Sequence, residues 1–162
     1  MKTLILMRHA KSSWDDATLD DYDRPLNSRG FKDAPRMGKL LKQKKTVPDL
    51  ILCSPARRAR QTCELFVQAA QFQTEIEWKE DFYGASPAEY LKGLQAVDDA
   101  CRKVMLIGHN PGMESLLHHL NGEFEKFPTA AIAILGLPIE HWQALSLETK
   151  AQLQHLWRPK DI

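Results

Sequence analysis

Three short segments of this chain carry residues whose types could do chemistry together. Arg8 and His9 follow the apolar run Leu4 to Met7. Ser54 to Thr62, SPARRARQT, follows Asp49 to Cys53, and Gly108 to Gly112, GHNPG, follows Lys103 to Ile107. A neutral histidine can act as a covalent nucleophile when one ring nitrogen is held by an acceptor. Arginines offer planar forks of N–H donors that match phosphate oxygens. Ser54 before Pro55 reads as a helix N-cap followed by proline at the first helical position. The free N–H groups of that helix would favour an anion. Gly108 and Gly112 would let the backbone come close around His109. Two histidines and two arginines without a carboxylate cluster make a poor metal site and a good cradle for a phosphoryl group, so neither metal nor cofactor is expected. Phosphate or sulfate is the expected small anion.

These residues need elements that bring them to one place. The runs Thr3 to Met7, Asp49 to Cys53 and Lys103 to Ile107 are almost continuously apolar, as in parallel strands covered on both faces. Helical spacing of apolar residues predicts helices over Ser28 to Lys42, Ala56 to Ala70, Pro87 to Asp99 and Met113 to Leu120. Pro35 implies that the first of these starts somewhat after Ser28. Ala130 to Leu135 and Trp142 to Leu147 read as late strands, while 150–162 has too little pattern to assign. Alternation of strand and helix predicts a three-layer α/β/α domain, 1–162, with a mostly parallel central sheet. Ligands of such sheets bind beyond the carboxyl ends of the strands, where all three loaded segments would meet.

Bulk properties narrow the partners. A formal net charge of +1 and a basic RRAR stretch without interleaved aromatics argue against nucleic acid. No apolar run is long enough to span a membrane. Cys53, Cys63 and Cys101 lack metal or redox spacing, and Cys53 and Cys63 read as buried thiols, which with the lack of a signal peptide points to the cytoplasm. Among the other candidates, Arg60 reads as a surface residue paired with Glu64 four positions on. His118, His119, His141 and His155 read as surface or packing residues.

The motifs resemble those of the histidine phosphatase superfamily, the phosphoglycerate mutase-like fold. RHAKSSW is similar to its R-H-G-x-S-x-W signature, with Ala10 in place of glycine. DRPLNSRG, Asp23 to Gly30, is similar to D-x-P-L-T-x-x-G, SPARRARQT to S-P-x-x-R-A-x-Q-T, and GHNPG to the second histidine loop. RHAKS and FPTAA, Phe127 to Ala131, resemble the SixA-type phosphohistidine phosphatases most. The resemblance implies a metal-independent phosphatase with His9 as nucleophile, passing through a phosphohistidine intermediate. It also implies Arg8, Arg58, His109 and Ser54 as the phosphate-binding residues, with His109 sharing in catalysis and Ser54 capping and shaping the loop. Glu80 or Asp81, before Gly84, would be the acid. The substrate implied is phosphohistidine in a phosphorylated protein. The alternatives are a small-molecule phosphomonoesterase or mutase of the same superfamily, and a catalytically silent phosphoprotein-binding module.

Overall fold

Alternation within the first strand divides the molecule into layers. In the computed structural model, which describes all 162 residues, β1 (Lys2–Arg8) sends Leu4 and Leu6 to one face and Ile5 and Met7 to the other. Leu4 and Leu6 pack with Tyr90, Leu94, Met113 and Leu117 from α3 (Pro87–Gln95) and α4 (Gly112–Asn121). Ile5 and Met7 pack with Ala34, Met37 and Leu41 of α1 (Ser28–Gln43) and Ala59, Cys63 and Phe66 of α2 (Arg57–Ala70). The expected α/β/α architecture follows, a sheet with two helices on each side.

The sheet has six strands, adding β2 (Leu50–Cys53), β3 (Glu75–Trp78), β4 (Lys103–Gly108), β5 (Ile132–Leu137) and β6 (Gln152–Trp157). Their order is β3-β2-β4-β1-β5-β6. β1, β2, β3 and β4 are parallel, and β5 runs antiparallel to both β1 and β6. The pairing Arg8 with Gly108 and Cys53 with Ile107 brings the carboxyl ends of β1, β2 and β4 level. No helix is long and apolar enough to cross a membrane.

Several expectations are corrected. Trp142 to Leu147 is not a strand: Trp142–Ala144 is a 3-10 turn. Its buried residues, Trp142 and Leu145, stand three apart, and the segment is held by Trp142 Nε1 donating to the Cys101 carbonyl at 2.7 Å. The last strand is β6, in the tail that carried no clear pattern. Gln154 is the extra residue where its register to β5 shifts, so Leu153 and Leu156 reach the same core face and the two-residue alternation is lost. β3, with two glutamates on a sheet edge, gave no apolar signal. α1 begins at Ser28 despite Pro35, because Asn27 caps it by accepting from Gly30 N at 2.9 Å and is itself tied to the Lys11 carbonyl. α3 stops at Gln95, four residues short of Asp99.

α1 and α2 touch at Gly38. A Cβ there would lie 2.3 Å from the Phe66 carbonyl oxygen, a backbone atom with no room to yield. Gly38→Ala is therefore expected to cost about 2 kcal/mol through overpacking, measured as a lower urea midpoint at unchanged m-value.

Candidate active site

The site grows from the level strand ends. His9 N donates to the Gly108 carbonyl at 3.0 Å and Ser54 N to the Ile107 carbonyl at 3.1 Å, extending the parallel ladder by one residue into each loop. From the other side, Ala130 N lies 3.0 Å from both the Arg8 and His9 carbonyls. Ala130 adopts φ 63°, a left-handed conformation that a β-carbon makes costly and that the surrounding bonds enforce. Thr62 of α2 accepts from Ala10 N at 3.0 Å and donates to the Arg58 carbonyl at 2.7 Å, which ties the His9 turn to the helix that carries Arg58. Below His109, a Cβ on Gly108 would sit 2.4 Å from the Tyr90 hydroxyl. That hydroxyl accepts from His109 N at 3.0 Å.

Arg8, His9, Arg58, His109 and Ser54, five of the residues singled out in the sequence, converge. The His9 and His109 rings lie 5.1 Å apart between centroids, and both histidines and Arg58 are buried. His9 Nδ1 is 2.7 Å from the Ala10 carbonyl oxygen. A carbonyl only accepts, so the ring proton sits on Nδ1 and the lone pair on Nε2 is available to attack. His109 Nε2 is 2.8 Å from Ser54 Oγ, which also accepts from Ala56 N. The Ser54 hydroxyl can donate to Nε2, the direction that places the proton of His109 on Nδ1. His109 Nδ1 and Arg8 Nε are the two buried side-chain polar atoms of the molecule without a protein partner. Buried donors of this kind are costly unless an acceptor reaches them.

Ser54 does not cap α2. The N-cap is Ala56, with no side-chain bond, and Ser54 Oγ turns back to Ala56 N and across to His109. Glu80 and Asp81 do not join the group. They lie in a 3-10 turn, their side chains make no hydrogen bond or ion pair, and they line a cavity of about 550 Å³ with Lys92, Gly93 and Ala96. His109 instead lines a cavity of about 390 Å³ with Gly84, Ser86, Asn110 and Gly112. Arg60 is exposed and forms no ion pair with Glu64. His118 and His119 are exposed on α4, His141 pairs with Asp99 and His155 stacks on Trp157.

Three contributors were not singled out in the sequence. Asn110 Nδ2 donates to the Phe127 carbonyl at 2.9 Å, and Glu114 accepts from Phe127 N at 2.8 Å. Arg8 Nη1 reaches the same Phe127 carbonyl at 3.4 Å. Asp21 bonds Arg58, Arg24 and the Tyr83 hydroxyl. The run DDYDRPLN offers Asp20, Asp21 and Asp23 alike, so nothing in sequence separates the one that turns inward.

The geometry defines a class: an α/β domain that gathers neutral imidazoles and guanidinium donors at the carboxyl edge of a parallel sheet. Residues 4–92 match the family model of the histidine phosphatase superfamily (branch 1), and the chain belongs to that superfamily. An uncharacterized protein of Mycobacterium tuberculosis is 34% identical over 147 residues, covering 84% of this chain and 89% of that one. A structure from Agrobacterium tumefaciens, provisionally named phosphohistidine phosphatase SixA, superposes with a TM-score of 0.84 at 32% identity over 98% of both chains. The protein histidine phosphatase SixA, solved with tungstate, shares the fold at a TM-score of 0.82 and 24% identity over 98% of both chains. Family and fold together support phosphatase activity.

The cluster also sets its own protonation. Burial, then the charge of Arg58 with a smaller push from Arg8, outweighs the pull of Asp21 and lowers His109 to about 4. His9 is pushed well below the usual imidazole range by burial, then by His109, Arg58 and Arg8, against the Ala10 carbonyl. Between the ordinary value of about 6.5 and about 4, the unfolded chain therefore binds more protons than the folded one. The stability that neutral His109 contributes is whole above about pH 6.5 and is lost as pH falls to about 4, on the order of 3 kcal/mol. Urea melts near pH 7 and pH 4.5 test this: His109→Gln should lose less stability on acidification than the wild type, and an equal loss contradicts it.

Proposed function

We propose that the protein is a metal-independent phosphatase whose substrate is phosphohistidine in a protein, hydrolysed through a covalent phosphohistidine on His9. The observation that carries this reading is the pair of buried donors without protein partners, Arg8 Nε and His109 Nδ1, beside the free Nε2 of His9. Those three nitrogens suit a tetrahedral phosphoryl group held on one side and attacked on the other.

In the proposed reaction His9 Nε2 attacks phosphorus, the new N–P bond forms, and the bond to the leaving imidazole nitrogen breaks. The substrate's imidazole departs carrying a proton. Water then attacks the phosphoryl group on His9, returning a free imidazole and inorganic phosphate. Arg8, Arg58 and His109 donate to the oxygens on which charge builds, the kind of preorganised stabilisation that dominates phosphoryl transfer. Ser54 holds His109 in the tautomer that donates.

Support for a protein substrate is the shortness of two loops at the sheet edge. These are His109–Pro111 between β4 and α4 and Tyr83–Ser86 before α3, and the longer stretch 9–27 between β1 and α1 adds only the 3-10 turn Asp21–Asp23. The likeness to SixA structures points the same way.

The test pairs a phosphohistidine-bearing protein with p-nitrophenyl phosphate, in EDTA. The wild type should turn over the phosphoprotein undiminished, and His9→Ala should lose roughly 10³-fold or more. Loss of turnover in EDTA, or activity surviving in His9→Ala, overturns the mechanism. Turnover of sugar phosphates without phosphohistidine makes the small-molecule reading the correct one.

A further inference from the structure

Arg58 and Arg24 are both buried, with 9% and 8% of their side chains exposed, and a guanidinium in that position needs a counter-charge. One carboxylate pairs with both. Asp21, in the 3-10 turn Asp21–Asp23, accepts from Arg58 Nη2 on Oδ2 at 3.0 Å and from Arg24 Nη1 on Oδ1 at 2.8 Å. Its backbone carbonyl takes a further bond from Arg58 Nη1 at 2.7 Å, so the end of Arg58 is held at two points. Oδ2 also accepts from the Tyr83 hydroxyl at 2.7 Å, and the Tyr83 ring stands edge-on to His109 with centroids 5.7 Å apart. Arg24 in turn donates to Ser12 Oγ and to the Ser13 carbonyl, within the segment that follows His9.

We propose that Asp21 is the positioning residue of the site: its carboxylate fixes the Arg58 guanidinium and, through Tyr83 and Arg24, sets the wall beside His109 and the turn after His9. This inference rests on the proposed phosphatase reading for its catalytic consequence, although the positions it describes are those of the protein alone. An isolated surface ion pair is worth little. Asp21 is different because two of its partners are buried cations and because its bonds join three separate segments. With Asp21 in place, two of the Arg58 donors are taken and the remaining N–H groups are presented in a fixed orientation. Without it, Arg58 can swing, and a displacement of about 1 Å in a phosphoryl-holding group costs on the order of 10²-fold. Asp21 keeps its charge for the same reasons. Burial alone would raise its carboxyl, but the Tyr83 hydroxyl, Arg24 and Arg58 outweigh that and hold it well below the usual carboxylate range.

The test uses Asp21→Asn in the full chain. Turnover of the phosphoprotein should fall roughly 10- to 100-fold, and the melting temperature should fall by several degrees because two buried guanidiniums lose their counter-charge, the chain remaining folded at the assay temperature. Vanadate, which mimics the five-coordinate transition state, should lose affinity in proportion to kcat/KM, and inorganic phosphate should lose less. A merely structural residue would weaken both anions alike. In an Arg58→Ala background, Asp21→Asn should add little, because its effect passes through Arg58. Tyr83→Phe, which removes one of the bonds, should give a smaller loss than Asp21→Asn. Wild-type vanadate affinity in Asp21→Asn, or a full additional loss in the Arg58→Ala background, overturns the inference. If the wild type binds vanadate by calorimetry but turns over no phosphorylated substrate, the proposed function falls, and Asp21 is still judged on vanadate affinity alone.

Discussion

Everything at the carboxyl edge of this sheet answers to one electrostatic constraint: Arg8, Arg58, His9 and His109 share a largely buried space in which positive groups outnumber the carboxylates, Asp21 beside Arg58 and Glu114 toward Arg8. Like charges in a poorly solvated volume repel strongly, and the imidazoles are the groups able to relieve this by staying neutral. Both do, His109 at about 4 and His9 also well below its ordinary range, with burial the largest cause in each. Neutrality is also what makes His9 Nε2 a lone pair and not an N–H. The same crowding of positive charge that would draw a phosphoryl dianion therefore keeps the nucleophile ready.

Such an arrangement stands only if the backbone refuses to relax, and the fold supplies that stiffness from several directions. Parallel pairing of β1 and β2 with β4 fixes where each loop starts, and the ladder bonds run on to His9 and Ser54. Ala130, in a left-handed conformation, clasps two successive carbonyls at the end of β1. Tyr90, fully buried, supports His109 from beneath through its hydroxyl. Thr62 links the His9 turn to α2, so the helix bearing Arg58 cannot shift independently of the nucleophile. None of these residues needs to touch an anion, yet each limits how far an imidazole or guanidinium can drift.

What could be read from the chain beforehand follows from which signals are local. The three central strands announce themselves because buried parallel strands are continuously apolar, and their chemical ends lie next to them in sequence. That sufficed for Arg8, His9 and His109, while Arg58 was separated from Arg57 and Arg60 only by the resemblance of SPARRARQT to the family motif. β6 was hidden because its register shift at Gln154 breaks alternation, and β3 because an exposed edge strand may be as charged as Glu75 and Glu77 without penalty. Trp142 misled for the opposite reason: an apolar residue plugging the end of the core looks like a strand residue until its three-residue spacing to Leu145 is seen. Asp21 was invisible among three neighbouring aspartates, since its distinction is purely tertiary. Ser54 was placed at the right spot for a different job, because a serine before a helix serves a histidine across the cleft as readily as it caps.

The placement of carboxylates bears on what such a site can cleave. Asp21 is locked as an anion by two arginines and a tyrosine, and Glu80 and Asp81 face a separate cavity. Glu114, the carboxylate toward Arg8, is bonded to Phe127 N, and no carboxyl group from which a departing oxygen could draw a proton hydrogen-bonds His9 or His109. An alkoxide leaving group from a phosphate ester depends on such a proton, whereas an imidazole that is already protonated departs as a neutral molecule. On the proposed reading, discrimination would then lie in the leaving group and not in a tailored pocket. On that reading, strong donors for the phosphoryl oxygens without a paired acid would favour phosphorus bound to nitrogen over phosphorus bound to an alkoxide oxygen.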